Sequence, residues 1–205
     1  MPSTTSLPLI AILRGITPAE IDAHVGALLD AGFSMIEIPT NSPDWQDSVV
    51  RALRLAGGAA EIGAGTVLSV GDVDRLADTG ARLMVTPNTD PLVIAHGRER
   101  GLRMAVGFAT ASEAFAAIAA GAQTLKLFPA SHYGPDYVRA LKAVLPASVP
   151  LYAVGGIHPG NLAAFLQAGC EGAGLGGDLY RPGQDAATTA RKAAEFIHAL
   201  RSATP

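Results

Sequence analysis

The sequence is poor in cysteine, in aromatic residues and in long hydrophobic or basic runs. Its one cysteine, Cys170, excludes a framework of internal disulfide bonds. No apolar run approaches the roughly 20 residues that a membrane-spanning helix needs. The net charge is only −3 and the basic residues form no block, which argues against nucleic acid or an anionic membrane as the main partner. A small anion needs only a local site, so that class of ligand stays open.

The single cysteine and the single tryptophan both favour structural roles. Cys170 follows a predicted helix among small residues, which is typical of a structural thiol and not of a nucleophile. Trp45 falls in the first turn of another predicted helix, where packing or an interface accounts for it better than a nucleic-acid platform does.

What is present is a chain of 205 residues, 49% of them apolar, which is long enough to bury a sizeable core in one domain. Residues 1–7 lack a basic stretch followed by a long apolar one, so there is no secretory signal to recognise. We therefore expect a cytoplasmic protein.

Glycines recur at the positions where helices are expected to end. Each precedes an apolar, strand-like run, and the spacing is roughly 20 to 25 residues or a multiple of it, which fits one strand and one helix per interval. A glycine just after a helix adopts the left-handed conformation without a Cβ penalty. These glycines are Gly32, Gly57, Gly58, Gly80, Gly101, Gly121 and Gly169.

The hydrophobic pattern predicts eight strands that alternate with eight amphipathic helices. The predicted strands are Leu9–Arg14, Met35–Thr40, Glu61–Thr66, Leu83–Pro87, Met104–Phe108, Thr124–Pro129, Leu151–Gly155 and Gly172–Gly176. The predicted helices are Ala19–Asp30, Trp45–Leu55, Val70–Asp78, Pro91–Arg100, Ser112–Ala120, Pro135–Val144, Asn161–Ala168 and Asp185–Leu200. Eight such units predict a closed (β/α)8 TIM barrel, a single domain over residues 1–205. An open doubly wound sheet is the alternative, and it is weaker because no G-x-G-x-x-G fingerprint opens the first unit.

The start of the first helix carries a capping signal. Thr17 can cap the helix, Pro18 suits its first turn, and Glu20 completes a capping box.

Lys126 lies in an apolar run, Thr124-Leu125-Lys126-Leu127-Phe128-Pro129, that predicts a buried strand. An ammonium group held in apolar surroundings loses hydration, so its pKa falls and a nucleophilic amine becomes available near neutral pH. The alternative is a lysine whose ammonium reaches solvent or pairs with a carboxylate. The segment alone gives the two interpretations equal weight.

Polar residues at the carboxyl ends of the strands are functional candidates, because that end of a (β/α)8 barrel carries the chemistry. Glu37 and Lys126 are each flanked by apolar residues, so alternation predicts that both point into the barrel, and Arg14 with them. Thr66 and the pair Pro87-Asn88 also fall at strand ends. Glu37 and Lys126 could instead form a buried ion pair that fills a barrel layer. Thr66 by itself is explained more simply as a β-branched residue at a strand end.

Two glycine pairs mark the loops after the seventh and eighth strands, Gly155-Gly156 and Gly176-Gly177. Such turns, each leading to a helix N-terminus, let backbone N–H groups approach a phosphate, and barrels often bind phosphate at these two loops. Simple tight turns are the alternative.

A metal site receives little support. The five histidines, His24, His96, His132, His158 and His198, are scattered without ligand spacing, and most fall on helices or loop edges where a solvated side chain is the ordinary account. We expect no metal and no cofactor.

Six segments together resemble the class I aldolases that cleave 2-keto-3-deoxy-6-phospho sugar acids, over essentially the whole chain. They are Ile10-Ala11-Ile12-Leu13-Arg14-Gly15, Glu37-Ile38-Pro39, Gly63-Ala64-Gly65-Thr66-Val67, Thr86-Pro87-Asn88, Lys126-Leu127-Phe128-Pro129 and Val154-Gly155-Gly156. The resemblance implies that Lys126 forms a Schiff base with pyruvate and that Glu37 transfers protons. It also implies a set of substrate-binding residues: Arg14 and Thr66 at the carboxylate, Gly155, Gly156, Gly176 and Gly177 at the phosphate, and Pro87, Asn41 and Val154 elsewhere.

Two positions favour the galactonate branch of this family. The gluconate branch usually has an arginine where this chain has Asn41 and a threonine where it has Val154. The resemblance then implies reversible cleavage of 2-dehydro-3-deoxy-6-phospho-D-galactonate to pyruvate and D-glyceraldehyde 3-phosphate. The family often has a serine where this chain has Gly177, so either phosphate affinity is lower or a loop compensates.

Other functions stay open from the residues alone. They are the gluconate or 4-hydroxy-2-oxoglutarate substrate, a phosphosugar isomerase, and a phosphometabolite-binding barrel without imine chemistry. The resemblance further implies a homo-oligomer, commonly a trimer, with a phosphorylated keto-sugar acid and pyruvate as its small-molecule partners.

Overall fold

The computed structural model describes residues 7–203, which form a closed barrel of eight parallel strands. The strands are β1 Leu9–Ile12, β2 Met35–Pro39, β3 Glu61–Gly65, β4 Leu83–Val85, β5 Arg103–Phe108, β6 Thr124–Leu127, β7 Leu151–Val154 and β8 Gly172–Leu175. The helices are α1 Ile21–Asp30, α2 Trp45–Ala56, α3 Val70–Asp78, α4 Pro91–Glu99, α5 Ala111–Ala120, α6 Ala130–Lys142, α7 Pro159–Gln167 and α8 Ala186–Ala203. Each strand pairs with the next, and β8 pairs with β1. The (β/α)8 prediction is confirmed, and closure excludes the open sheet.

The strands begin where the sequence predicts, within one residue, but most end one or two residues earlier. Arg14, Thr66 and Pro87, for example, lie beyond the ends of β1, β3 and β4. Strand propensity does not reveal these ends, because the last residues leave the hydrogen-bonded ladder to form the loops at the barrel mouth. The residues predicted to act at the site therefore divide into a group inside the barrel and a group on its rim.

The predicted helix stops are confirmed. All seven glycines after helices have positive φ, from 53° at Gly57 to 112° at Gly169. In this region an L-residue with a Cβ is strained, so glycine ends the helix and turns the chain toward the next strand.

The prediction for the start of the first helix is wrong in detail. The helix begins at Ile21, and the capping residue Glu20 makes no side-chain cap. Glu20 instead accepts hydrogen bonds from the backbone N–H and the hydroxyl of Thr17, at 2.9 and 2.6 Å. The Glu20 N–H also donates to the Thr17 carbonyl at 3.0 Å, so the two residues close a separate turn before α1.

Helix α6 also differs from its prediction. Its main part starts at Pro135 as the sequence indicates, but a short helical segment precedes it from Ala130. Gly134, with φ 75° and ψ 171°, separates the two parts. The extra segment places Ser131 next to the loop after β7, where the Ser131 N–H donates to the Gly155 carbonyl at 3.1 Å.

The core has two parts. The larger part lies between the strands and the helices. The smaller part fills the barrel interior below the polar residues and consists of Ile10, Met35, Leu83, Val85, Ala105 and Tyr152. This apolar plug closes the lower end, so an ionisable group above it reaches solvent only through the mouth.

The predictions for Cys170 and Trp45 agree with burial, since both side chains are buried. Burial raises the pKa of the Cys170 thiol to about 12, which disfavours its thiolate. The account of solvated histidines fails for His24, which is buried with Nδ1 2.8 Å from the Thr189 hydroxyl. Within residues 7–203, no helix is long and apolar enough to cross a membrane.

Candidate active site

Lys126 points into the barrel from β6, as the alternation predicts. It pairs in register with Gly107 of β5 and Tyr152 of β7, and its side chain is buried, with 6% exposed. Burial lowers the pKa of Lys126 to about 8; the Glu37 carboxylate raises this pKa, and the Arg14 guanidinium lowers it. The ammonium nitrogen lies 5.1 Å from the centroid of the Phe128 ring. A sizeable fraction of this amine is therefore neutral near neutral pH, in contrast to an ordinary lysine.

Glu37 points into the same space from β2, and it is even more buried, with 2% exposed. Burial raises the pKa of Glu37 to about 7, against the lowering influence of Lys126, Arg14 and the Gly65 backbone. Its Oε2 atom has no hydrogen-bond partner in residues 7–203. A buried ion pair with Lys126 does not account for these two residues, because no direct pair joins them in the described chain. The carboxylate oxygen is left available to a water or a substrate.

Gly65, at the end of β3, makes room for the Glu37 carboxylate. A Cβ built at residue 65 would lie 1.9 Å from Oε2 of Glu37, far inside van der Waals contact. In the sequence Gly65 belongs to one of the family-like segments, which indicates no separate role for it. The signal that could have found it is the alternation along the third strand, which turns Gly65 toward the barrel interior.

Arg14, Asn41 and Thr66 meet on the rim of the barrel. The Nη1 of Arg14 donates to Oδ1 of Asn41 at 2.7 Å and to the Thr66 hydroxyl at 3.3 Å. Arg14 is exposed and lies beyond the end of β1, so it reaches across the mouth and is not inside the barrel. Three loops thus hold one guanidinium in place.

Thr66 adopts a left-handed backbone conformation, with φ 57°. This is costly for a β-branched residue, so the simple account of Thr66 as a favourable strand-end residue is wrong. The Thr40 hydroxyl donates to the Thr66 carbonyl at 2.6 Å, and the Thr40 N–H donates to the Gly65 carbonyl at 2.8 Å. Thr40, for which the sequence suggested no role, holds the strained peptide and so helps to place the partner of Arg14.

Pro87 lies just beyond β4 with its backbone against Gly107 of β5, where a Cβ at residue 107 would lie 2.2 Å from the Pro87 carbonyl carbon. The preceding Thr86 hydroxyl accepts from the Gly107 N–H at 3.0 Å and donates to the Asn88 carbonyl at 2.7 Å. These contacts fix the fourth loop. Pro87 is not among the residues that line the cavity at the barrel mouth.

That cavity has a volume of about 370 Å³ and opens beside the two glycine pairs. Its walls are Ile12, Arg14, Gly15, Phe128, Val154, Gly155, Gly156, Ile157, Gly176, Gly177, Asp178, Tyr180, Arg181 and Pro182. Six of the predicted binding residues therefore share one cavity: Arg14, Val154 and the four glycines. Phe128 belongs both to this wall and to the surroundings of Lys126, so the cavity lies next to the buried amine.

The two glycine loops connect to their helices in different ways. Gly155 and Gly156 have φ of 94° and 71° and lead through two residues to α7. After Gly176 and Gly177 the chain makes a turn in which the Leu179 and Tyr180 N–H groups donate to the Gly176 carbonyl, then a second turn from Arg181 to Gln184, and α8 begins only at Ala186. The prediction that each pair leads directly to a helix is therefore wrong for the second one.

In residues 7–203, no group of three or more His, Cys, Asp or Glu side chains is arranged to hold a metal ion. Besides Tyr180, whose pKa burial raises to about 12, the ionisable groups at the site are two arginines, one lysine and two carboxylates. They are Arg14, Glu37, Lys126, Asp178 and Arg181.

The chain is similar to known proteins along almost its whole length. The model of the family described as KDPG and KHG aldolase matches residues 3–187. The chain belongs to this family. The protein is therefore an aldolase, which is a lyase, and it has the TIM-barrel fold. A similar curated protein is the 2-dehydro-3-deoxy-6-phosphogalactonate aldolase of Escherichia coli strain K12, 55% identical over 199 residues that cover 97% of each chain.

Two solved structures similar to this member of the KDPG and KHG aldolase family share 55% identity with it. One is described as native KDPGal, with a TM-score of 0.95 over 99% of this chain and 98% of that chain. The other is a cube-shaped protein cage designed by fusing symmetric oligomeric domains, with a TM-score of 0.95 over 97% of this chain and 74% of that chain.

Proposed function

We propose that the protein is a class I aldolase that cleaves 2-dehydro-3-deoxy-6-phospho-D-galactonate, reversibly, to pyruvate and D-glyceraldehyde 3-phosphate. The observation that carries the proposal is Lys126, a buried lysine whose pKa falls to about 8 inside the barrel, beside a cavity and a second buried ionisable group. The printed name of the relative at 55% identity supports the substrate.

The first half of the reaction makes an electron sink at Lys126. The neutral amine attacks the C2 ketone of the substrate and gives a carbinolamine. Loss of its hydroxyl as water, with a proton delivered by Glu37, leaves a protonated imine between Lys126 and C2. With its pKa near 7, Glu37 can both give and accept a proton near neutral pH.

The second half breaks the bond between C3 and C4. Glu37, now ionised, takes the proton of the C4 hydroxyl, directly or through a water. The C3–C4 electron pair moves into the imine to form an enamine, and C4 leaves as the aldehyde of D-glyceraldehyde 3-phosphate. A proton then returns to C3, and water hydrolyses the imine to release pyruvate and the free lysine.

The rim residues would hold the two charged ends of the substrate. Arg14, oriented by Asn41 and Thr66, presents a planar guanidinium to the carboxylate. The backbone of Gly155, Gly156, Gly176 and Gly177 would face the 6-phosphate, since these glycines line the cavity.

Two residues support the galactonate epimer at C4. Val154 is buried at the end of β7 and gives the cavity an apolar wall with no hydroxyl. Asn41 accepts a hydrogen bond from Arg14, and an arginine in its place would set two like charges against each other. Cleavage rates on the two C4 epimers test this assignment.

We expect a higher kcat/KM on the galactonate epimer, and we expect Val154→Thr to narrow the difference. Ile157→Val, which lines the same cavity without adding a polar atom, is the matched control. A preference for the gluconate epimer in the unmodified protein would contradict the assignment.

We also propose a cytoplasmic homotrimer. The similar chain in a cage fused from symmetric oligomeric domains supports a homo-oligomer. Exposed apolar side chains on successive elements offer surface for such contacts, among them Leu68, Val70, Leu92 and Phe115. Sedimentation equilibrium measures the assembly directly, and a monomer at micromolar concentration would contradict it.

A further inference from the structure

Arg181 belongs to the turn after β8, four residues beyond Gly177, and it lines the cavity. Its Nε donates a hydrogen bond to the Gly177 carbonyl at 2.8 Å. The guanidinium is therefore anchored to the glycine loop whose backbone faces the same cavity. Nothing in the sequence singles this residue out, because a lone arginine after a predicted strand has no distinctive spacing.

The anchor uses one of the five N–H groups of the guanidinium. In residues 7–203 no hydrogen bond or ion pair engages Nη1 or Nη2 of Arg181. A guanidinium held through Nε keeps the two Nη atoms as a planar fork, which matches two oxygens of a phosphate or carboxylate. Less entropy is lost on binding because the side chain is already held.

The charges around the cavity indicate which anionic group the Nη atoms of Arg181 can bind. The charged residues that line the cavity are Arg14, Asp178 and Arg181. Arg14 is tied to Asn41 and Thr66, in the loops after β2 and β3. Arg181 is thus the cation on the side of Gly176 and Gly177, and the neighbouring Asp178 would repel a phosphate that carries about two negative charges if the backbone acted alone.

We infer that Arg181 binds the substrate's phosphate through its Nη atoms and sets the preference for a phosphorylated aldehyde half. This inference rests on the proposed function. It also explains how the loop binds phosphate with glycine at position 177, which has no side-chain donor. Arg181 acts on the phosphate end, so it takes no part in the imine chemistry at Lys126.

A substitution at position 177 tests the same phosphate subsite independently. A Cβ at Gly177 would have Nε of Arg181 at 3.9 Å as its nearest neighbour, and Gly177 lacks the left-handed φ that would strain a larger residue. A serine is therefore tolerated there, with its hydroxyl next to the guanidinium. It would supply part of the lost hydrogen bonding when Arg181 is replaced.

The test compares Arg181→Met and Arg181→Lys in the aldol direction, with pyruvate and either D-glyceraldehyde 3-phosphate or unphosphorylated D-glyceraldehyde. For Arg181→Met we expect the KM of the phosphorylated aldehyde to rise on the order of 10- to 100-fold, as for loss of a charge-assisted hydrogen bond, and far more than that of glyceraldehyde. Arg181→Lys keeps the charge but lacks the two planar Nη groups. Its KM for the phosphorylated aldehyde should therefore lie between those of the unmodified protein and Arg181→Met. Gly177→Ser should recover part of the loss in the Met background.

The matched control is Arg191→Met, which removes an exposed arginine from α8, remote from the cavity, with the same change in net charge. The KM of the phosphorylated aldehyde for the unmodified protein should also rise with ionic strength, and this dependence should weaken in Arg181→Met. An equal loss with both aldehydes, or no loss with either, would overturn the role of Arg181. Borohydride trapping of pyruvate in the unmodified protein reports separately on the proposed function, because trapping needs Lys126 and no phosphate.

Discussion

Glu37 and Lys126 control each other's protonation because both are buried and each lies in the field of the other. The carboxylate raises the pKa of Lys126, and Lys126 lowers the pKa of Glu37, but burial outweighs both effects and brings the two values to about 8 and about 7. Arg14 lowers both pKa values from the rim. Between pH 7 and 8 most molecules therefore hold an ammonium and a carboxylate, and the combination of a neutral amine and an ionised carboxylate grows with pH until it predominates above pH 8.

The pH midpoint of imine formation should shift in opposite directions when Glu37 and Arg14 are replaced. The rate of borohydride trapping at pyruvate concentrations well below saturation, which reports on the free protein, should rise with pH to a midpoint near 8. Glu37→Gln removes the influence that raises the pKa of Lys126, so its midpoint should fall. Arg14→Met removes an influence that lowers it, so its midpoint should rise.

Arg191→Met, on the outer face of α8, should leave that midpoint unchanged, since it alters charge without entering the site. Shifts of the same sign in Glu37→Gln and Arg14→Met would contradict this electrostatic account.

Some residues of the site could be predicted from the sequence and others could not. The inward direction of Lys126 and Glu37 follows from alternation along a strand, and both are inside the barrel. The strained φ of Thr66, by contrast, depends on a hydrogen bond from Thr40, 26 residues away in the chain. The anchored Arg181 depends on the path of a loop. Neither contact leaves a local pattern in the sequence.

At the scale of strands and helices, the glycines act in two different ways, and only one of them can be recognised from the sequence. Those after helices act locally through φ, and the sequence alone located them. Gly65 acts through a neighbour on another strand, because its missing side chain leaves space for the Glu37 carboxylate. The strand ends depend on where the chain leaves the hydrogen-bonded ladder for the loops at the barrel mouth, and the start of α1 depends on the turn that Thr17 and Glu20 close before it.

Gly65→Ala should damage the site by displacing Glu37. The three atoms nearest to the new Cβ all belong to the Glu37 carboxyl group, at 1.9 to 2.4 Å. We expect a loss of stability of about 1–3 kcal/mol, as for other overpacked cores, and a clear fall in kcat. Chemical denaturation and steady-state rates measure the two effects.

The matched control is Gly26→Ala in α1, where no atom lies within 4 Å of the added Cβ. That change should stabilise the protein by up to about 1 kcal/mol, because alanine favours the helix. If Gly65→Ala is as harmless as Gly26→Ala, the steric account fails. Adding Glu37→Ala to Gly65→Ala should restore stability without restoring turnover.

For the whole molecule, the barrel carries the buried pair at a cost in stability. Above pH 7 the folded protein holds a desolvated Glu37 carboxylate, and this cost disappears as pH falls below the ordinary value of 4.5. Below pH 8 it holds a desolvated Lys126 ammonium, and that cost disappears above 10.5. Both costs are present between pH 7 and 8, where the attraction between the two charges reduces each of them. Closure of the barrel and its apolar plug offset them.

The proposed imine at Lys126 is central to the proposed chemistry of the whole molecule. The measurement that tests it is borohydride reduction with pyruvate at pH 8, followed by peptide mass spectrometry. The chain has three lysines, and the other two, Lys142 and Lys192, hydrogen-bond to Glu171 and Gln184 outside the barrel. We predict a reduced pyruvate adduct on Lys126 alone, lost in Lys126→Met and retained in Lys142→Met. An adduct on another lysine, or trapping that survives Lys126→Met, would contradict this role.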